Sequence, residues 1–378
     1  MLQQGKHSAR PFPRDPSDDS GRKGWEDGLR DGYAEGYMRG HAKVIVERTR
    51  PFFPVRKIKV LYVSSGKGFP YMPIDEAVVE TLKTLTADVI TTESRQPEIR
   101  ELAVKHRPDL VLALDGMDLP VEQIDAVRAL GIRTAIWLTD DPYYSDMTLK
   151  IAPHYDYVFT LERNCIDVYR GLGCRNVYYL PFAAYVSHYR PTLTLSAIRR
   201  QISFIGSAYW NRVEFLRPVI GGLMEKGLRI NGIWWDRLPE YEQYPDRIEI
   251  GKWMGPMETA EVYSGTKIVI NLHRSPFDET VNNNSAKIAA HSPNPRTFEI
   301  SACGTLQLVD SREDLSSFYK PGVEIETFSN SAELMDKVNY YLSHEKERQQ
   351  IALRALERTF RDHTYSHRLN ELLGYIFE

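Results

Sequence analysis

The run Asn294-Pro-Arg-Thr-Phe-Glu-Ile-Ser-Ala-Cys-Gly-Thr-Leu-Gln-Leu-Val-Asp310 contains a helix start, a helix stop and a strand. Asn294 is a favoured N-cap because its side-chain oxygen can accept a free backbone N–H. Pro295 suits the first helical position, where no N–H is needed, and Gly304 suits the left-handed residue that ends a helix. Leu306 to Val309 then reads as a buried strand. A helix N-terminus of this kind offers the N–H groups of Arg296 and Thr297 to an anion such as a diphosphate. Arg296 adds a permanent positive charge at the same end. Glu299, one turn further on, can accept two hydrogen bonds from a ribose diol. Its alternative is to complement the helix dipole while Arg296 pairs with it.

On both sides of this run, short apolar stretches alternate with amphipathic ones. Strands are expected over residues 59–64, 88–91, 109–114, 134–138, 157–160 and 176–180, and helices over 75–85, 98–106, 121–130 and 164–172. The pattern then restarts, with strands over 201–205, 228–234, 267–271 and 306–309. Helices are expected over 212–226, 258–264 and 295–303, and again from residue 332 onward. Residues 276–292 read as an irregular loop, and 181–196 as the connection between the two halves. Strands separated by helices, repeated this often, imply parallel sheets covered on both faces. The fold class is therefore α/β: two Rossmann-like doubly wound domains facing a cleft. The expected domains are 51–190 and 191–360, followed by a C-terminal helix, 361–378, packing back over the junction. Ligands of such sheets bind beyond the carboxyl ends of the strands.

The strand-end loops supply the other candidates. Gly206 and Ser207 end the first strand of the second half, and Arg212 lies close enough to be a second diphosphate cation. Asn271 and His273 end another strand and could contact phosphate or sugar, or satisfy a core hydrogen bond. In the first half, Asp140 and Asp141 follow a strand directly. A carboxylate there can take the proton of an attacking hydroxyl, although Asp before Pro142 also suits a plain turn. The loop of Gly66, Lys67 and Gly68 could let the backbone approach phosphate or acceptor.

The bulk properties narrow the field. The chain has 378 residues, 42% hydrophobic and 26% charged, with a net charge of −3, so nothing suggests a nucleic-acid partner. Apolar stretches are strand-sized and far short of the roughly 20 residues of a membrane helix. The three cysteines suggest a reducing compartment rather than a disulfide framework. No Cys-x-x-Cys pair is present, and no metal site is expected. Residues 1–23 are polar, with no apolar run like that of a secretory signal, and are expected to be disordered. Within 24–50, Gly24, Gly28, Gly32, Gly36 and Gly40 recur every fourth residue beside Trp25, Tyr33 and Tyr37. On a helix this makes a smooth stripe flanked by aromatics, suited to docking or self-association, or else a floppy, partly helical leader.

The run from Asn294 resembles the nucleotide-binding motif of group 1 GT-B glycosyltransferases. Phe204-Ile-Gly-Ser, Lys267-Ile-Val-Ile-Asn-Leu-His273, Asn294-x-Arg-x-Phe-Glu and His363-Thr-Tyr-Ser-His-Arg368 are together similar to the spore-maturation CgeB-like glycosyltransferases, over roughly residues 57–378. The resemblance implies a nucleoside diphosphate-sugar donor, UDP-sugar favoured, a glycan or protein acceptor, no metal requirement and no other cofactor. It assigns Glu299 to the donor ribose. It also implies a cytoplasmic place, in a mother-cell compartment or at the spore surface. His291 stands where group 1 enzymes commonly carry an earlier Glu near the sugar. A metal-dependent GT-A transferase would need Asp-x-Asp, to which Asp140-Asp141 and Asp115-Gly-Met-Asp118 are near misses. A nucleotide-sugar epimerase and a non-catalytic spore-layer scaffold are the remaining alternatives.

Overall fold

The computed structural model describes residues 19–96 and 98–378. They fall into two compact units, one ending at His41 and one running from Ala42 to Glu378. The first unit is the bulk of helix α1 (Asp19–Arg48). The expectation of disorder over 1–23 lies outside the described residues up to residue 18, and from Asp19 it is corrected to helix. Trp25, Leu29, Tyr33 and Tyr37 are exposed along this helix. Pairs spaced three or four apart, Arg22–Glu26, Arg30–Asp27 and Arg39–Glu35, support it locally.

The second unit holds two sheets. The first is built from β1 (Arg56–Ser64), α2 (Met72–Leu85), β2 (Thr86–Glu93), α3 (Ile99–His106), β3 (Leu110–Leu114), α4 (Val121–Ala129), β4 (Arg133–Trp137), α5 (Ser145–Ile151), β5 (Tyr157–Thr160), α6 (Cys165–Gly171) and β6 (Asn176–Tyr179). The second is built from β7 (Arg200–Ile205), α7 (Trp210–Leu216), α8 (Ile220–Glu225), β8 (Leu228–Gly232), β9 (Ile248–Ile250), α9 (Pro256–Ser264), β10 (Thr266–Asn271), α10 (Pro295–Ala302), β11 (Leu306–Asp310), β12 (Glu326–Phe328), α11 (Ser331–Ser343) and α12 (Glu345–Asp362). The strand orders are β2-β1-β3-β4-β5-β6 and β12-β11-β10-β7-β8-β9, with every pairing parallel. In each sheet the order reverses beside the first strand, which opens a crevice at the carboxyl ends.

Central strands such as Leu110–Leu114 are apolar at every position because helices cover both faces. Apolar clusters fill both faces of the first sheet, and another fills one face of the second around Phe204, Trp235 and Phe328. The single helix expected over 212–226 is instead broken at Arg217–Val219, where Pro218 cannot donate a helical hydrogen bond. The last helix, α13 (Tyr365–Phe377), packs with α2 on the first sheet through Leu369, Leu372 and Leu373. The chain thus returns to the first domain, tied by Arg368 Nε donating to the Pro181 carbonyl at 2.9 Å.

The irregular segment after β10 joins the sheets from the other side. Asn283 N–H donates to the Tyr143 carbonyl at 2.8 Å, and Ile288 sits in the core of the first sheet. The Glu162 carboxylate accepts from the backbone N–H groups of His291 and Ser292, each at 3.0 Å. With α13, this strap fixes how the two sheets face each other.

Candidate functional site

Between the carboxyl ends of the two sheets lies a cavity of about 400 Å³. Its second-domain wall is made by Gly206, Ser207, Arg212, Arg274, Arg296 and Glu299, and its first-domain wall by Tyr71, Asp140, Tyr143 and apolar groups including Pro70 and Ile74.

The α10 N-terminus is assembled from several strands. The Asn294 side chain caps the helix, accepting from Thr297 N–H at 3.1 Å. Asn271, at the end of β10, donates to Asn294, Thr297 and Gln307 and accepts from Asn294 Nδ2 at 2.8 Å. His273 stands between Asp310 and the same helix end. Its Nδ1 lies 2.6 Å from Asp310 Oδ1, and its Nε2 accepts from Asn294 N–H at 2.9 Å. That acceptor role requires a neutral ring, in keeping with burial, which pushes the His273 pKa down.

Three expectations change here. Asn271 and Thr297 are buried and point into this anchoring network rather than the cavity. The Thr297 N–H is taken by the cap, so of the two N–H groups expected to face an anion only that of Arg296 remains. His273 reaches the cavity wall, but both its ring nitrogens are engaged in holding α10.

The cations behave differently. Arg212 is almost wholly buried, yet forms no ion pair among the described residues. Its Nη1 donates to the Ser207 carbonyl at 2.9 Å, and its Nε has no partner. Burial and the neighbouring Arg296 push its pKa well down, so its charge is held at a cost. Arg296 donates to the Ile205 carbonyl at 2.8 Å and likewise has no carboxylate partner. The two guanidiniums crowd Gly206, where a Cβ would collide with Arg296. Gly206 also has φ +151°, which L side chains rarely adopt.

Glu299 lies on the same wall, and no described group donates to its carboxylate. Burial raises its pKa to about 7 against the opposing charge of Arg296.

In the first domain, Asp140 and Asp141 separate. Asp140 reaches the cavity, accepting from Tyr71 Oη at 2.8 Å, while Thr139 Oγ1, 3.0 Å away, lies closer to Asp115 at 2.7 Å. Burial raises its pKa, opposed by Tyr71 and the charge of Arg274. Asp141 is caged by hydroxyls: Thr148 at 2.9 Å, Thr160 at 2.6 Å and Tyr169 at 2.8 Å. Asp141 also lines the cavity, but these hydroxyls engage both of its oxygens. The expectation for the loop of Gly66, Lys67 and Gly68 is corrected, because it does not reach the cavity wall. Lys67 is drawn to the buried Asp115 at 2.7 Å, leaving Phe69, Pro70 and Tyr71 to line the site. His291 pairs with Glu313 at 2.9 Å and stays off the cavity wall.

Among the described residues no three His, Cys, Asp or Glu side chains group as a metal site would. His363 and His367 do have a His-x-x-x-His spacing. However, His363 Nε2 is bonded to the Phe318 carbonyl and His367 Nδ1 to Thr364. No described helix is long and apolar enough to cross a membrane.

Arg274 was not among the sequence candidates. Its guanidinium stacks 4.0 Å from the Tyr143 ring centre and 4.9 Å from that of Tyr209. Only its position directly after His273 could have flagged it, since the rings that hold it lie far away in sequence.

Residues 201–374, which contain these three arginines and Glu299, match the family model described as glycosyl transferase-like. The match covers a little under half of the chain, and the two facing parallel sheets make a GT-B fold. The chain is 29% identical over 297 residues to spore protein CgeB of Bacillus subtilis (strain 168), covering 78% of this chain and 91% of that one. HepE of Anabaena, in complex with UDP and glucose, has a similar fold, with a TM-score of 0.58 at 11% identity over 84% of this chain and 99% of that one. A glycosyltransferase from Rickettsia africae gives 0.60 at 12% identity, over 85% and 98%.

Proposed function

We propose that this glycosyl transferase-like protein moves a sugar from a nucleoside diphosphate-sugar, UDP-sugar favoured, to an acceptor hydroxyl. The observation that carries the reading is the pair of arginines, Arg212 and Arg296, which converge on the Gly206 loop without a carboxylate partner. Buried charge without a partner is unfavourable, so such a pair suits an anionic ligand. Glu299 on the same wall would accept the two ribose hydroxyls.

In the reaction the acceptor oxygen bonds to the anomeric carbon, and the bond from that carbon to the phosphate oxygen breaks. The electron pair goes to the diphosphate, where the arginines meet the growing charge. The acceptor proton leaves to a carboxylate, and Asp140 is the candidate because it alone of the Asp140–Asp141 pair keeps room for a further hydrogen bond. Guanidinium groups can take the role a divalent cation plays elsewhere, so activity without metal is part of the proposal. The likeness to a spore protein favours a setting in spore-surface glycosylation. The glycine and aromatic stripe of α1 would serve there as a docking or self-association element.

Thermal shift with UDP, GDP, TDP and their sugar conjugates, with and without EDTA, tests this. One nucleotide should stabilise the wild type by several degrees, unaffected by EDTA, and Glu299→Ala should reduce the shift. Failure of every nucleotide to stabilise the wild type would sink the reading in favour of a scaffold that binds no donor.

A further inference from the structure

A third cation stands at the same wall. Arg274 follows His273 at the end of β10 and lines the cavity. Its Nε donates to Asn282 Oδ1 at 3.1 Å, as does Nη2, while Nη1 reaches only the Tyr209 hydroxyl at 3.4 Å. It forms no ion pair among the described residues. The Tyr209 ring is shared by two guanidiniums, with Arg212 at 5.0 Å and Arg274 at 4.9 Å from its centre. Arg274 is also the cation next to the first domain, stacked on Tyr143 and 5.6 Å from the ring centre of Tyr144. Asp140 and Glu299 share the cavity, but neither is within salt-bridge distance of any of the three arginines.

Three arginines exceed what a bound donor needs. A nucleoside diphosphate-sugar carries one negative charge on each phosphate. When the anomeric carbon–oxygen bond breaks, the electron pair stays on the terminal phosphate, and the leaving group bears one charge more. We infer that Arg274 is a catalytic residue that binds the leaving oxygen of the terminal phosphate, at the end of the cavity facing the first domain. This deepens the glycosyltransferase reading and rests on it. Arg212 and Arg296 hold the diphosphate throughout, and Arg274 adds a contact at the one oxygen whose charge appears during the reaction. An interaction stronger after bond breaking than before it accelerates the step rather than only binding substrate.

The test is a comparison of product with substrate. Dissociation constants are measured for UDP and UDP-glucose, GDP and GDP-mannose, and TDP and TDP-glucose, on wild type, Arg274→Gln, Arg274→Lys and Asn282→Ala. For whichever pair binds wild type, Arg274→Gln should weaken the free nucleotide about tenfold and the sugar conjugate by less than about threefold. Arg274→Lys, which keeps a charge, should restore most of the preference for the free nucleotide. Asn282→Ala removes an acceptor that holds the guanidinium and should weaken the preference less than Arg274→Gln does. Equal loss for both ligands, or no loss for either, in Arg274→Gln would overturn the inference and leave the glycosyltransferase reading standing. A wild type that binds no pair would overturn both. If Arg274→Gln does not fold, Arg274→Lys decides: equal loss for both ligands marks Arg274 as a strut alone.

Discussion

The two sheets have the same parallel architecture, yet they present opposite chemistry to the cavity between them. At the carboxyl ends of the first sheet three carboxylates are already satisfied, while Asp140 keeps room for a further hydrogen bond. Asp75 accepts from Tyr62 and Ser65, Asp115 from Thr139 and Lys67, and Asp141 from three hydroxyls. At the corresponding ends of the second sheet stand Arg212, Arg274 and Arg296, with no carboxylate among the described residues paired to any of them. The hydroxyls and Lys67 make the first wall stable without a ligand. The unpaired cations of the second wall carry a standing electrostatic cost that an anion would relieve. On the proposed function, the contrast separates residues that build the site from residues that meet the substrate.

The largest effect is expected at Arg212. Replacing it with Met keeps an unbranched apolar stem while removing a buried charge and its partnerless Nε. The free protein should gain stability, seen as a higher melting temperature, because the buried charge has no carboxylate partner to lose and only one hydrogen bond, to the Ser207 carbonyl. Nucleotide binding should weaken by a hundredfold or more, in line with about 1.5–3 kcal/mol for each hydrogen bond to a charged group. A variant that melts lower and still binds nucleotide would remove the distinction between the two walls at its strongest point.

A smaller effect separates the two aspartates. Asp141→Asn replaces an acceptor of three hydroxyls with an amide whose NH2 must face donors, and should lower stability by about 2–3 kcal/mol. Asp140→Asn keeps hydroxyl contacts at one oxygen and should change stability little while nearly abolishing transfer. Denaturant unfolding and turnover, measured on both variants, give the comparison. Reversal of the two outcomes would move the catalytic assignment to Asp141.

Much of the architecture was legible in the sequence because it follows from periodicity. Apolar runs between Gly and Pro signals placed ten of the twelve strands, and Asn294, Pro295 and Gly304 placed α10 by capping chemistry alone. The two missed strands, β9 and β12, are three residues each, too short to show a period. Helix α5 was missed because it is short and begins beside a turn signal, with no cap residue to mark it. In the site, position was legible and direction was not. Asn271 ends the expected strand, but its amide turns toward α10, which depends on how that helix packs. Lys67 was expected at the ligand because a glycine loop carries it, yet Asp115, 48 residues away, takes its charge. Arg274 was invisible for the same reason, since rings from Tyr143 and Tyr209 hold it. Local chemistry fixes where a side chain starts, and long-range partners fix what it faces.

Glu299 gives the smallest effect and the one that links the second wall to pH. Burial raises its pKa from 4.5 to about 7. Between these values the folded carboxyl holds a proton that the unfolded one has released. The free protein therefore gains stability from this group as pH falls through that window, and loses it as pH rises toward 7. Binding runs the other way, because a ribose diol donates two hydrogen bonds and needs the carboxylate to accept both. UDP-glucose is a suitable probe, since its diphosphate does not titrate in this range. Its affinity should rise about tenfold between pH 6 and pH 8 as the ionised fraction of Glu299 grows. In Glu299→Gln the affinity should be lower at pH 8 and nearly flat with pH, and the melting temperature should lose its acid-side gain. A pH dependence that survives in Glu299→Gln would assign the titration to another group, with Asp140 the next to test.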